Sequence, residues 1–111
     1  MIHITAVREH GSIRSVTCTG HALYDEPGSD IICAAVSALM INTANSIEQF
    51  TEDGLVIEEG GDEGGYLMLR LDGEISGSSA LLLKSLMLGL HSIEETYGEE
   101  FLQITEQERS E

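Results

Sequence analysis

Two segments near the start of the chain, 2–9 and 12–19, alternate apolar and polar residues with the period of two that is typical of strands. His10 and Gly11 lie between them, and a two-residue connection of this kind predicts a β-hairpin. Ile2, Ile4 and Ala6 share one face of the first strand, and Val16 and Cys18 point to one side of the second.

The spacing then changes to that of a helix. The segment 22–30 contains the only proline of the chain, Pro27, and is predicted to be a loop. Residues 31–50 repeat apolar positions every three or four residues, and Ser29 or Asp30 is placed to cap a helix there. The predicted buried stripe consists of Ile32, Val36, Leu39, Thr43, Ile47 and Phe50.

The second half of the chain is predicted to contain three more strands and one more helix. Strands are predicted over 55–58 and 66–71, a helix over 78–97, and a short last strand over 101–105 that is followed by a polar, frayed tail. Gly98 stops the helix. Its predicted inner stripe is Leu82, Leu86, Ile93 and Tyr97, and its apolar arc is widened by Leu81, Met87 and Leu88.

The predicted order of elements is ββ-α-ββ-α-β. This order favours an α+β fold, a two-layer sandwich in which an antiparallel-rich sheet carries both helices on one face. At 111 residues, we expect one domain that spans 1–111.

The charge narrows the set of partners. Five Lys and Arg face twenty Asp and Glu, for a net charge of −15, so nucleic acid and anionic membranes are poor partners and a basic protein is a better one. No signal peptide is recognisable, and the longest apolar stretch, near 81–90, is interrupted by Lys84, Ser85 and Gly89. We therefore expect a cytoplasmic protein whose two cysteines are free thiols.

Cys33 and His21 are the candidates for chemistry. Cys33 is expected in the first turn of the first helix, where unpaired N–H groups stabilise a thiolate, and His21 follows the second strand. An imidazole near a thiol can accept its proton and later protonate a leaving amine. The alternative is structural, because a cysteine early in an apolar helix is usually just buried.

Asp30 and Ser37 are possible supporting residues with two interpretations each. Asp30 could cap the helix, or it could orient His21. Ser37 lies one turn after Cys33 and could line a site, or it could bond back to the helix backbone.

Zinc binding is the rival chemistry at this site. Cys18, His21 and Cys33 offer three possible ligands, but a structural zinc site needs four and no fourth is obvious. We therefore expect neither a metal nor another cofactor.

Two segments, Gly20-His21-Ala22 and 28–39 (Gly-Ser-Asp-Ile-Ile-Cys-Ala-Ala-Val-Ser-Ala-Leu), resemble the signature of the Prp family of ribosomal-processing cysteine proteases. The resemblance implies that Cys33 is the nucleophile and His21 the general base. The positions of Gly20, Asp30 and Ser37 belong to the same motif.

The resemblance also implies a substrate. Prp enzymes remove an N-terminal extension from the large-subunit ribosomal protein L-twenty-seven, and they cut after a pair of phenylalanines. The family is homodimeric, and the apolar excess of the second helix suits such pairing. The alternative to a protease is a non-catalytic binding or assembly module of the ribosome in which Cys33 is merely a helix residue.

Overall fold

A computed structural model describes residues 1–20, 29–60 and 65–109 of the chain. Its elements follow the order ββ-α-ββ-α-β, as the sequence predicts. They are β1 (Ile2–Glu9), β2 (Ser12–Thr19), α1 (Ser29–Phe50), β3 (Gly54–Gly60), β4 (Tyr66–Asp72), α2 (Gly77–Tyr97) and β5 (Leu102–Arg109).

The five strands form one sheet in the order β3-β4-β2-β1-β5. The pairs β1–β2, β2–β4 and β3–β4 are antiparallel, and β1–β5 is parallel. The expected α+β sandwich with an antiparallel-rich sheet is therefore confirmed. The crossover from β2 to β4 passes through α1 and β3, and α1 packs on the half of the sheet that includes β3.

The β1–β2 hairpin turns at His10 and Gly11, as predicted. Both residues have positive φ angles, 53° and 84°, which is the requirement of a type I′ turn. The register then pairs Ile4 with Cys18 and Ala6 with Val16, so the apolar positions of both strands lie on the same face.

That face and the inner sides of both helices form a continuous hydrophobic core. The helices approach each other closely at Gly89, where an added Cβ would lie 2.9 Å from a methyl carbon of Leu39. The largest fully buried side chains are Ile2, Ile4, Val16, Ile32, Val36, Met40, Ile47, Leu69, Leu71, Leu83, Leu90 and Leu102.

The stripes predicted for the helices are only partly right. Phe50 is 76% exposed because it is the last residue of α1 and extends beyond the core. In α2 the buried face is turned by about one residue from the prediction, so Tyr97 is exposed and Leu82 and Ile93 are half-buried. The residues that α2 buries are Ser79, Leu83, Leu86, Met87 and Leu90.

The last strand is longer than the pattern predicts. β5 pairs with β1 from Leu102 to Arg109, so most of the predicted polar tail is a regular edge strand. Its polar side chains are held by ion pairs with β1, Arg8–Glu106 at 2.8 Å and Arg109–Glu9 at 3.0 Å. Alternation of polar residues on an exposed edge carries little apolar signal, which explains the error.

Hydropathy singles out a different segment from the one expected. In the described part of the chain, the segment Ile31–Phe50 of α1 is long and apolar enough to cross a membrane by length and composition, whereas the stretch near 81–90 is not. About a third of this segment, including Ile32, Met40 and Ile47, is buried in the core, whereas Ile31, Ile41 and Phe50 are exposed.

Candidate active site

A cleft of about 190 Å³ lies where the end of β2 and the start of β4 meet α1. Two cysteines and two glycines line this cleft, so both thiol groups lie close to backbone that carries no side chain. The residues that line the cleft are Ile2, Cys18, Gly20, Cys33, Val36, Ser37, Gly65 and Leu67.

Cys33 reaches the cleft from α1. The helix begins at Ser29, two residues earlier than predicted, so Cys33 is its fifth residue and not part of the first turn. Ser29 and Asp30 accordingly lie within the bounds of α1. Helical side chains lean towards the N-terminus, so the Cys33 side chain is expected to point back towards the first turn, whose N–H groups have no partner within the helix.

Gly20 closes the cleft at the end of β2. Its φ angle is +89°, and a Cβ at this position would collide with the backbone carbonyl oxygen of Met1. Its N–H donates to the carbonyl oxygen of Gly65 at 2.9 Å, which ties the end of β2 to the start of β4. Only glycine satisfies both the backbone conformation and the close approach. Gly20 therefore fixes the direction in which the chain leaves β2 towards His21.

Cys18 lines the same cleft as Cys33, a proximity that the sequence analysis considered only for the zinc alternative. It lies on the apolar face of β2, as predicted, and pairs with Leu67 of β4. Burial, and secondarily the nearby Cys33, raises the pKa of the Cys18 thiol to about 11. A thiol with such a pKa is almost entirely protonated at neutral pH and is a poor nucleophile.

Ser37 lies one turn after Cys33, is exposed and lines the cleft. Within the described ranges its hydroxyl has no hydrogen-bond partner, in contrast with Thr43, which donates back to the carbonyl of Leu39 at 2.8 Å. Of the two interpretations of Ser37, lining the site is the one that the geometry favours.

His21 lies outside the described residues, as do residues 22–28 of the predicted loop 22–30 and the side chain of Asp30, whereas the last two residues of that predicted loop belong to α1. The pairing of His21 with Cys33 and the alternatives for Asp30 therefore remain predictions. Groups of three or more possible metal ligands are not found among the described residues, but His21 is one of the three ligands of the zinc alternative.

The register of the sheet explains why Gly65 and Leu67 escaped prediction and why Cys18 was grouped with Cys33 only in the zinc alternative. These residues meet Cys33 only because β2 pairs with β4, two strands that are separated by α1 and β3 in the chain. The one local signal was the alternation that placed Cys18 on the apolar face.

A half-buried thiol on a helix, open to a cleft that two glycines line, is an arrangement that suits a cysteine nucleophile. The family model described as "Cysteine protease Prp" matches residues 1–102. The chain belongs to this family of cysteine proteases.

Two similar sequences are ribosomal processing cysteine proteases Prp. The one from Staphylococcus aureus is 32% identical over 93 residues, which cover 84% of this chain and 87% of the relative. The one from Bacillus subtilis is 32% identical over 102 residues, which cover 87% and 90%.

The fold is also similar to a solved structure of the S. aureus enzyme, an essential ribosomal processing protease Prp in complex with a covalently linked product peptide. The TM-score is 0.83 at 29% identity, and the match covers 96% of this chain and 99% of that one.

Proposed function

We propose that this protein is a cytoplasmic endopeptidase that removes the N-terminal extension of ribosomal protein L-twenty-seven and so supports ribosome assembly. The observation that carries the proposal is the position of Cys33 in the cleft beside Gly20 and Gly65. A product peptide is covalently linked in the similar S. aureus enzyme, as expected of a protease with a nucleophilic side chain.

In this proposal the Cys33 sulfur attacks the carbonyl carbon of the scissile peptide bond, and His21 takes the thiol proton. His21 then gives that proton to the leaving amine as the bond breaks, which leaves a thioester on Cys33. Water, deprotonated by His21, hydrolyses the thioester and restores the thiol. The N–H of Gly20 is already used by Gly65, so Gly20 acts by shaping the backbone and not as a donor to the oxyanion.

The identity of the substrate is supported by charge. The chain carries −15, and proteins that bind ribosomal RNA are basic, so opposite charge speeds their encounter. The names of the similar proteins from S. aureus and B. subtilis specify ribosomal processing.

Incubation with the host's L-twenty-seven precursor tests the function directly. We expect mass spectrometry to show a single cut after a pair of phenylalanines. Cys33→Ala removes the nucleophile, and product formation should fall below detection, while His21→Ala should lower kcat/KM by about 10²–10⁴-fold.

Cys18→Ala is the matched control, because it removes the other thiol of the same cleft. It should keep cleavage within a few-fold of the unmodified protein. Cleavage at an undiminished rate by a folded Cys33→Ala protein would contradict the mechanism. An intact precursor after incubation with the unmodified protein would contradict the substrate.

The proposal includes a homodimer that pairs through α2. Leu81 and Leu88 are 66% and 72% exposed, and a separation of seven residues places them on one side of the helix, two turns apart. Exposed leucines in such a row are typical of an interface.

Light scattering at micromolar concentration should give twice the chain mass of 12.0 kDa. Leu88→Asp should shift the protein to the monomer, because a carboxylate would be buried without a partner. Phe50→Asp, an equally exposed apolar position on α1, should leave the mass unchanged. A mass of one chain for the unmodified protein would rule out the dimer.

A further inference from the structure

A second, mostly apolar pocket of about 200 Å³ lies between α1 and the strands β3 and β4. Its volume is below the roughly 300 Å³ at which pockets for drug-sized ligands begin, so it suits a single side chain. The residues that line it are Ile41, Ala44, Asn45, Ile57, Glu59, Leu67 and Leu69.

This apolar pocket continues the cleft of Cys33. Leu67 lines both, so one side chain separates the two spaces. On α1, steps of four residues lead from Cys33 through Ser37 to Ile41 along one face of the helix. On β4, Gly65, Leu67 and Leu69 alternate along the same face of the strand. The helix and the strand thus form the two walls of one trough that starts at Cys33.

The length of the trough relates the pocket to the scissile bond. Ile41 and Asn45 lie eight and twelve residues after Cys33, which corresponds to about 12 and 18 Å along a helix. An extended peptide advances about 3.3 Å per residue. A side chain in the pocket therefore belongs to a residue about three to five positions from the bond that Cys33 attacks.

The rim and floor of the pocket indicate which side chain it accepts. Ala44 is buried and forms the floor, whereas Ile41 and Ile57 stay 49% and 40% exposed on opposite walls. Ile57 pairs with Leu69 and faces the helix layer, but α1 leaves it partly uncovered. An apolar side chain placed between the two isoleucines would remove their surface from water.

Glu59 adds a charge to this rim. It pairs with Leu67 in the sheet and is exposed beside the pocket. Its carboxylate would repel an acidic side chain at the same substrate position and tolerate a neutral or basic one.

We infer that this pocket is a specificity subsite that binds an apolar substrate side chain three to five residues from the scissile bond and rejects an acidic one. The inference rests on the proposed protease function, since it assigns a second contact of the same peptide. The continuity of the trough with Cys33 selects a substrate side chain as the occupant.

A series of fluorogenic peptides tests the subsite. Each peptide spans the cleaved junction of L-twenty-seven and carries either Leu, Ala or Asp at one of the third to fifth positions on either side of the bond. For one position, replacement of Leu by Ala should lower kcat/KM by about tenfold, the value of one well-filled apolar contact. Asp at that position should lower it further.

The protein variants assign this effect to the pocket. In Ile41→Gln and Ile57→Thr, both at exposed positions, the preference for Leu over Ala should shrink to less than threefold. Glu59→Gln should recover part of the loss caused by Asp. Phe50→Gln, an exposed apolar position of α1 outside the pocket, is the matched control and should keep the full preference.

Two outcomes would overturn the subsite and leave the protease function standing. One is an equal preference for Leu over Ala in Ile41→Gln and Phe50→Gln. The other is a kcat/KM that does not change with the residue at any of these substrate positions while the peptides are still cleaved. Cleavage of none of the peptides by the unmodified protein would overturn both the subsite and the protease function.

Discussion

The two helices begin in contrasting surroundings. At the start of α2, the Ser76 hydroxyl accepts a hydrogen bond from the N–H of Ser79 at 3.1 Å. Asp53 in turn accepts from the N–H and the hydroxyl of Ser76 at 3.0 and 2.8 Å. At the start of α1, the side chain of Cys33 faces an open cleft.

The difference shows that the start of α2 serves the stability of the fold, whereas the start of α1 lies beside the candidate nucleophile. Hydrogen bonds from Ser79 and Ser76 hold the pKa of Asp53 below its ordinary value. The Asp53 carboxylate is therefore already bound by groups of the protein itself. The protein groups at the start of α2 satisfy one another and leave little for a ligand. At the start of α1, the thiol of Cys33 instead lies in a cleft beside Gly20 and Gly65, which have no side chains.

Among the substitutions that contrast the two helix starts, Gly20→Ala should reduce activity the most, because Gly20 lies at the end of β2 beside Cys33. The new Cβ would meet the carbonyl of Met1, and the positive φ adds strain, so the end of β2 must move and carry His21 with it. We expect kcat/KM for the precursor to fall at least 100-fold, since misplacement by about 1 Å costs that much. Steady-state cleavage assays measure the loss.

Gly11→Ala is the matched control. Gly11 also has a positive φ, 84°, but no atom lies within 4 Å of its added Cβ. The substitution should cost about 1 kcal/mol of stability and leave kcat/KM nearly unchanged. Similar activity losses in the two variants would mean that backbone strain alone, and not the position of Gly20, governs the site.

Local patterns predicted the first turn and the first helix, but they did not predict the contacts between distant segments of the chain. The turn at His10-Gly11 and the helical spacing after Ser29 depend on neighbours in the chain, and both are confirmed. The proximity of Cys18 to Cys33 depends on the register of β2 against β4, and the length of β5 depends on parallel pairing with β1. No periodicity within one segment encodes either pairing. The relation between His21 and Cys33 remains a prediction.

The reactivities of Cys18 and Cys33 test the assignment of the nucleophile without any substrate. Cys18 should react slowly with iodoacetamide at pH 7 because burial raises its pKa to about 11, two units above the reference value of 9.0. Cys33 should be labelled at least tenfold faster, as measured by mass spectrometry of the labelled peptides.

Raising the pH should change the two cysteines differently. Labelling of Cys18 should keep increasing by about tenfold per pH unit up to its pKa, because the thiolate is the reacting form. Unfolding the protein in urea should bring the two rates together. Faster labelling of Cys18 than of Cys33 in the folded protein would refute the assignment of Cys33 as the activated thiol.

The smallest effects are expected from the acidic residues at the two helix starts. Asp53→Asn weakens the bonds to Ser76 and should lower the free energy of unfolding by about 1 kcal/mol, with cleavage unchanged. Asp30→Asn removes a charge from the first turn of α1 and should cost about 0.3–1 kcal/mol, with kcat/KM within threefold. Urea unfolding and cleavage assays compare the two variants.

The pH dependence of stability tests the role of Asp53, and the effect on kcat/KM tests the role of Asp30. The pKa of Asp53 is lower in the folded state, so its stabilisation is present above the unfolded value near 3.8 and is lost as the pH falls through the folded value. Asp53→Asn should therefore lose stability at pH 6 but little near pH 2. If Asp30→Asn instead lowers kcat/KM by orders of magnitude while stability is kept, Asp30 orients His21, and the start of α1 holds a third member of the site.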